Sequence, residues 1–261
     1  MKFAVLASSS AGNSTYVEGG GVRLLVDAGG NCKSLAAALA PLGVGPADID
    51  AVLLTHEHAD HVSALAVLER RFGTPLYATD GTFAACEADR AGRGGCEGWN
   101  CSCFEPGSPF EVGGLLVEPF STPHDAADPV GFVLSEAGGA RLGFATDLGF
   151  ATGLVERRLR GCTALALEFN HDPRMLDLSG RPPSLVRRIR GRDGHLSNEQ
   201  AAELLADVAG SGLRHVVPMH VSGECNTPEL AVAAAREALR GGGFDPGIVR
   251  APAFPTPLYE A

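Results

Sequence analysis

The sequence predicts an α/β protein, and three observations carry that expectation. The chain has 261 residues, 45% hydrophobic and 20% charged, the balance of a globular protein able to bury a sizeable core. Short apolar runs bounded by Gly, Pro or Asp alternate with longer amphipathic runs, first in hairpin style and then interleaved. No linker-like stretch and no internal repeat divides the chain, so residues 1–261 read as one domain.

Taken in order, the apolar run that opens the chain is shorter than the ~7–15 residues of a signal-peptide core, so residues 2–7 read as a first strand. Strands follow at 15–18 and 22–27, joined by the turn Glu18-Gly19-Gly20-Gly21. A helix is expected over 33–42, a strand over 51–55, a helix over 62–72, a strand over 75–78 and a helix over 81–88. Strands at 115–120, 130–135 and 141–145 lead to a helix over 151–160 and a strand over 164–168. Helices over 184–190, 198–209 and 228–240, with a strand over 215–218, complete the series. Ser197-Asn198-Glu199-Gln200 has the form of a capping box that starts the 198–209 helix. No stretch approaches the ~20 apolar residues that span a membrane. A cytoplasmic protein with no membrane partner is expected.

The seven cysteines include Cys86, Cys96, Cys101 and Cys103, which fall in or beside an insertion-like segment over 87–109 rich in Gly and Arg. An odd number in an intracellular context argues against a disulfide framework. The spacing of Cys96, Cys101 and Cys103 lacks the paired C-x2-C of zinc ribbons, so unligated thiols on a surface loop are expected.

Chemistry concentrates in Thr55-His56-Glu57-His58-Ala59-Asp60-His61, where three of the eight histidines and the Asp60 carboxylate fall within six positions, between an expected strand and an expected helix. On such a turn His56 and His58 can grip one ion, and Asp60 and His61 a second. Imidazole nitrogen and carboxylate oxygen are zinc donors. Three later segments each place a His or Asp after an expected strand: Thr122-Pro123-His124-Asp125, Thr146-Asp147-Leu148-Gly149 and Met219-His220-Val221-Ser222.

This pattern resembles the metallo-β-lactamase superfamily. The resemblance implies an αββα four-layer sandwich, two mixed sheets with helices outside. It implies two divalent ions per chain, Zn or Mn. His56, His58 and His124 would hold one ion, Asp60, His61 and His220 the other, and Asp147 would bridge them. Within the superfamily, phosphodiesterases such as ribonuclease Z pair a Glu with a His in a Gly-His segment. Glu168 and His195 look like that pair. The WalJ (YycJ) group of bacterial nucleases is more similar still, at residues 8–14, 55–61, 124–126, 170–172, 194–198 and 226–231. The similarity breaks in the Cys-rich segment and departs at Cys225, where the group usually has Asn. It implies an exonuclease acting on DNA, with Asp60, Glu168 and His195 in catalytic roles. The alternative is a thioester or lactone hydrolase of the glyoxalase II type on the same metal set. The stretch from Asp147 to His220 is too short for the extra domain of the larger RNA-processing relatives.

The net charge of −10 argues against a surface coated for nucleic acid. Yet Arg181, Arg187, Arg188, Arg190 and Arg192 run directly into Gly194-His195. They read either as a strip that contacts a phosphate backbone or as a solvated helix face. His195 sits just before a capped helix start, where partial positive charge favours anions. It reads either as a phosphate contact or as a loop residue before the cap.

Overall fold

In a computed structural model of the protein, residues 1–90, 96, 98–251 and 253–261 are described. Strands β1 (Lys2–Ser9), β2 (Gly12–Gly19) and β3 (Val22–Val26) pair antiparallel in sequence. The β2–β3 turn takes Gly20 and Gly21 through φ of 57° and 79°, where a side chain is disfavoured. Helix α1 (Cys32–Leu39), capped by Asn31 Oδ1 accepting from Ser34 N, crosses to β4 (Ala51–Leu53), parallel to β3. Helices α2 (Ala59–Val62) and α3 (Leu65–Phe72) lead to β5 (Leu76–Ala78), and α4 (Asp80–Arg90) to β6 (Cys101–Cys103), both strands parallel to their predecessors. A hairpin of β7 (Phe110–Val112) and β8 (Leu115–Ser121) follows.

Strands β9 (Val130–Glu136) and β10 (Arg141–Ala145) pair antiparallel. Helix α5 (Gly153–Leu159) returns the chain to β11 (Ala164–Glu168), parallel to β10. Helices α6 (Pro173–Leu178), α7 (Pro183–Ile189) and α8 (Asn198–Val208) precede β12 (His215–Met219), parallel to β11. Helix α9 (Pro228–Gly241) and β13 (Tyr259–Glu260), antiparallel to β1, close the chain.

The protein is thus α/β, with two mixed sheets flanked by helices. The first sheet runs β13-β1-β2-β3-β4-β5-β6, and strands β7 to β12 form the second. The chain makes two compact units. One holds residues 1–119, 126–130 and 254–260; the other holds 120–125, 131–253 and 261. The first core includes Leu6, Tyr16, Leu25, Leu39, Val52, Leu65 and Leu76. The second includes Phe120, Leu148, Leu165, Leu167, Phe169, Leu204, Val216 and Leu239. Every residue of β11 is buried, as suits a parallel strand covered on both faces. The chain leaves and re-enters each unit, so no contiguous segment existed for composition to mark within the single domain expected over 1–261.

The Cys-rich expectation needs correction. Cys86 is buried on α4, Cys96 is buried, and Cys101 and Cys103 lie on β6, paired with β5, rather than on a surface loop. The three-residue run Cys-Ser-Cys is too short and too neutral in β propensity to announce a strand. Cys86, Cys96, Cys101 and Cys103 are all free thiols. Residues 91–95 and 97 of that segment lie outside the described residues. The expected 62–72 helix is two helices, broken at Ser63-Ala64. Helix α6 has no counterpart among the helices that the sequence pattern predicts. Among the described residues, no helix is long and apolar enough to cross a membrane.

Candidate metal-binding and catalytic site

In the first unit, His56 and His58 lie in the loop between β4 and α2, while Asp60 and His61 occupy the first turn of α2. His56 and His61 are buried. His56 Nε2 is 3.0 Å from His58 Nδ1, and the His56 and His61 ring centroids are 4.1 Å apart. Asp60 Oδ2 is 3.4 Å from His61 Nε2. Two ring nitrogens this close meet as donor and lone pair, or converge on a shared cation.

Their orientation comes from a residue that sequence reasoning missed. Asp27 follows β3, is fully buried, and has φ 61°, a conformation that costs a non-glycine residue energy. Its Oδ2 is 2.8 Å from His61 Nδ1. Its Oδ1 accepts from Thr55 N at 2.9 Å and from Thr55 Oγ1 at 3.0 Å. Thr55 Oγ1 in turn lies 2.9 Å from His56 Nδ1. Burial raises the Asp27 pKa, against the pull of His61 and Thr55. Asn13 Nδ2 donates to Asp60 Oδ2 at 3.0 Å and lies 3.1 Å from His61 Nε2. Gly29 has no alternative, because a Cβ there would fall 1.7 Å from the Asp60 carbonyl oxygen. The available signal was an acid ending an apolar strand before Ala28-Gly29-Gly30.

In the second unit, β10, β11 and β12 run parallel and deliver Asp147, Glu168 and His220 at their carboxyl ends. His124 arrives after β8, and His195 just before α8. One donor atom each from Asp147, Glu168, His195 and His220 lies within 4.8 Å of the others. His220 Nδ1 is 3.3 Å, and His124 Nε2 3.7 Å, from Asp147 Oδ1. Asp147 and His220 adopt φ of 59° and 52°, strain that clusters at functional sites. Glu168 is wholly buried. Its Oε1 lies 2.9 Å from both His195 Nδ1 and His220 Nδ1, and its Oε2 accepts from Leu148 N at 2.9 Å and Leu196 N at 3.1 Å. Burial acts to raise the Glu168 pKa, but His195 and His220 outweigh it and hold the carboxyl down at about 2. Burial likewise acts to lower the His195 pKa, and Glu168 and Asp147 overcome it, holding the imidazole above its ordinary value.

Four of the imidazoles share one feature. The Nδ1 atoms of His56, His61, His124 and His220 meet Thr55 Oγ1, Asp27 Oδ2, Gly194 O and Glu168 Oε1 at 2.8 to 3.1 Å. Engaging Nδ1 fixes each ring and leaves Nε2 as the ligating atom. The donor set therefore suits divalent metal.

The arginine strip is less open than its charge implied. Arg181 pairs with Glu224 and Arg190 with Asp177, each at 2.9 Å, and Arg188 Nε donates to Asp125 at 2.5 Å. Arg192 lies over the Phe150 ring. Arg187 is exposed on α7. Helix α8 starts with the expected capping box, Ser197 Oγ accepting from Gln200 N and Gln200 Oε1 from Ser197 N.

The domain family described as beta-lactamase superfamily domain matches residues 22–221. The exodeoxyribonuclease YycJ of Bacillus anthracis is 35% identical over 247 residues, 95% of this chain and 92% of that protein. The exodeoxyribonuclease WalJ of Streptococcus pneumoniae is 34% identical over 266 residues, 99% of this chain and 97% of that protein. Among solved structures, the metallo-β-lactamase fold protein YhfI of Bacillus subtilis superposes with a TM-score of 0.74, covering 100% of this chain and 99% of that one at 16% identity, a likeness of fold. The chain accordingly belongs to the metallo-β-lactamase superfamily of metal-dependent hydrolases, in the family that includes YycJ and WalJ.

Proposed function

We propose that the protein is a dinuclear-metal phosphodiesterase that acts as an exonuclease on DNA in the cytoplasm. The observation that carries the phosphodiester reading is the Glu168–His195 contact at 2.9 Å, beside Asp147 and His220. An imidazole whose Nδ1 is held by a buried carboxylate can turn its other ring nitrogen to the leaving or equatorial oxygens of a phosphodiester, the pairing that phosphodiesterases of the superfamily use. DNA as substrate, and digestion from an end, rest on the names of YycJ and WalJ.

His56, His58 and His124 would hold one ion, Asp60, His61 and His220 a second, with Asp147 bridging. Zinc or manganese fits these nitrogen and oxygen donors. When bound, such ions supply a water of lowered pKa and neutralise charge on the phosphoryl oxygens. Asp60, steadied by Asn13, orients the attacking water or takes its proton. His195, steadied by Glu168, stabilises the equatorial oxygens or protonates the leaving oxygen.

Purified protein with Mn²⁺ or Zn²⁺ on end-labelled single- and double-stranded DNA and RNA tests the reading. Release of nucleotides from DNA ends, lost in His58→Ala and Asp147→Ala together with bound metal, is expected. Hydrolysis of a glutathione thioester without loss of DNA would replace it with the glyoxalase-type activity.

A further inference from the structure

Helices α6 and α7 form a hairpin with both feet in the catalytic cluster of the second unit. Helix α6 starts just past Glu168, and α7 ends just before His195. The feet are tied down: Asn170 N donates to Leu196 O at 3.1 Å, Asp172 N to Cys225 O at 2.8 Å, and His195 N to Ile189 O at 2.9 Å. Underneath, Leu176 packs with Ile189 and Cys225. Arg190 joins Asp177 and the Pro173 carbonyl, and Arg181 joins Glu224. Three arginine contacts thus brace the hairpin.

What the braced hairpin displays is Leu178, the last residue of α6, which is 86% exposed. The next most exposed large hydrophobic among the described residues is Leu230, at 41%. Ser179 Oγ closes the helix onto Leu176 O at 2.7 Å, and Gly180 turns the chain away at φ 70°, so the leucine stands at a fixed tip. Arg174, exposed, lies one turn earlier on the same face of α6. Arg187, also exposed, lies on α7.

We infer that this hairpin is a wedge for the end of a nucleic-acid duplex. Leu178 enters against the terminal base pair, and Arg174 and Arg187 take flanking phosphates. The inference rests on the nuclease reading. A surface that only gripped phosphate would have no use for an apolar tip. A protein-docking patch needs contiguous apolar area, whereas Leu178 stands alone among Arg174, Asp177, Ser179 and Arg181. Duplex ends present stacked apolar bases inside a polyanionic rim, and leucine wedges unstack base steps. An exonuclease gains from this, because a terminal nucleotide must leave its pair before its phosphodiester can reach Asp147 and His195.

The test is kcat/KM on a blunt duplex divided by kcat/KM on the same strand alone, for wild type, Leu178→Ser and Leu178→Met in the full chain with Mn²⁺. General losses cancel in the ratio. Leu178→Ser should lower it about tenfold, a modest share of the cost of unstacking one base step, and Leu178→Met should restore it. An unchanged ratio in Leu178→Ser overturns the wedge and leaves the nuclease reading intact. Wild type that degrades neither DNA overturns the nuclease reading itself. Sedimentation showing a wild-type dimer that Leu178→Ser dissolves, with the ratio unchanged, makes the tip a contact between copies and overturns the wedge.

Discussion

His220 Nδ1 lies 2.9 Å from Oε1 of Glu168, the oxygen that His195 Nδ1 also meets at 2.9 Å. One buried carboxylate therefore holds a proposed metal ligand and a proposed acid–base residue in mutual register. Its other oxygen accepts two backbone N–H groups. Glu168→Gln would set an amide NH₂ against donors on one side or the other, a mismatch of ~1–3 kcal/mol or more in a buried site. We expect this variant to lose metal affinity by about 10–100-fold, as for other outer-shell changes, and to lose turnover with it. Elemental analysis and initial rates check both, and a variant with wild-type metal content and slow turnover would confine Glu168 to the service of His195.

Asp27 makes the equivalent prediction in the first unit. It orients His61 directly and His56 through Thr55. Asp27→Asn keeps the shape but removes one acceptor, so metal should leave about 10–100-fold more readily to a chelator. Asn13→Ala, which removes the amide from Asp60 Oδ2 and His61 Nε2 but leaves the Nδ1 contacts of His56 and His61 in place, should retain metal better than Asp27→Asn. The reverse order in a chelator titration would shift the organising role to Asn13.

The difference between Asp27 and His58 shows what a sequence makes legible. Three imidazoles within six positions identify themselves, and Asp147, His124 and His220 are visible because each follows an apolar run in a known order. Asp27 also follows an apolar run, yet it reads as the last residue of the 22–27 strand until His61, distant in sequence, is seen against it. Glu168 and His195 are recognisable as a pair, but the contact of Glu168 with His220 exists only because β11 and β12 lie parallel in register. The arginine strip was legible as charge, while its partners Asp125, Asp177 and Glu224 come from elsewhere in the chain. Helix α6 has six residues, too few for a helical period to show. The capping box at Ser197 was legible because its chemistry is local.

His195→Ala should leave metal content unchanged and lower kcat by about 10²–10⁴, the range for losing a general acid or a charge-stabilising donor. The discriminating measurement is metal content beside rate. Loss of an ion in His195→Ala would make His195 a ligand and reopen the assignment of His220.

The ion pairs of the strip change what its substitution should do. Arg181, Arg188 and Arg190 already face carboxylates, whereas Arg187 is exposed on α7. On duplex DNA, Arg187→Ala should flatten the dependence of log K on log salt by up to ~0.9, one phosphate contact. Arg188→Ala, which mainly unmasks Asp125, should alter the slope less. Turnover of bis-p-nitrophenyl phosphate, too small to reach the strip, controls for damage to the site. Equal slopes for wild type and Arg187→Ala would reduce the strip to a solvated face.

Burial pushes the Cys86 thiol up to about 12, with Cys96 and Glu57 adding to the effect. The sign follows from linkage. An unfolded thiol ionises near its model value of 9.0, while the folded one keeps its proton. The stabilising contribution is therefore complete below about pH 9 and is lost as pH rises toward 12, at roughly 1.4 kcal/mol per pH unit for one such group. Urea unfolding between pH 8 and 11 should show stability falling with pH in the wild type. Cys86→Ala should show a shallower fall, with the remainder shared by the other groups that burial raises, Cys101 to about 12 and Cys96, Cys103 and Tyr16 in the same direction. Iodoacetamide at pH 8 should spare Cys86 in the folded protein and label it in urea. Rapid labelling of Cys86 without denaturant, or identical pH slopes in the two proteins, would show that this thiol is not held protonated by its burial on α4.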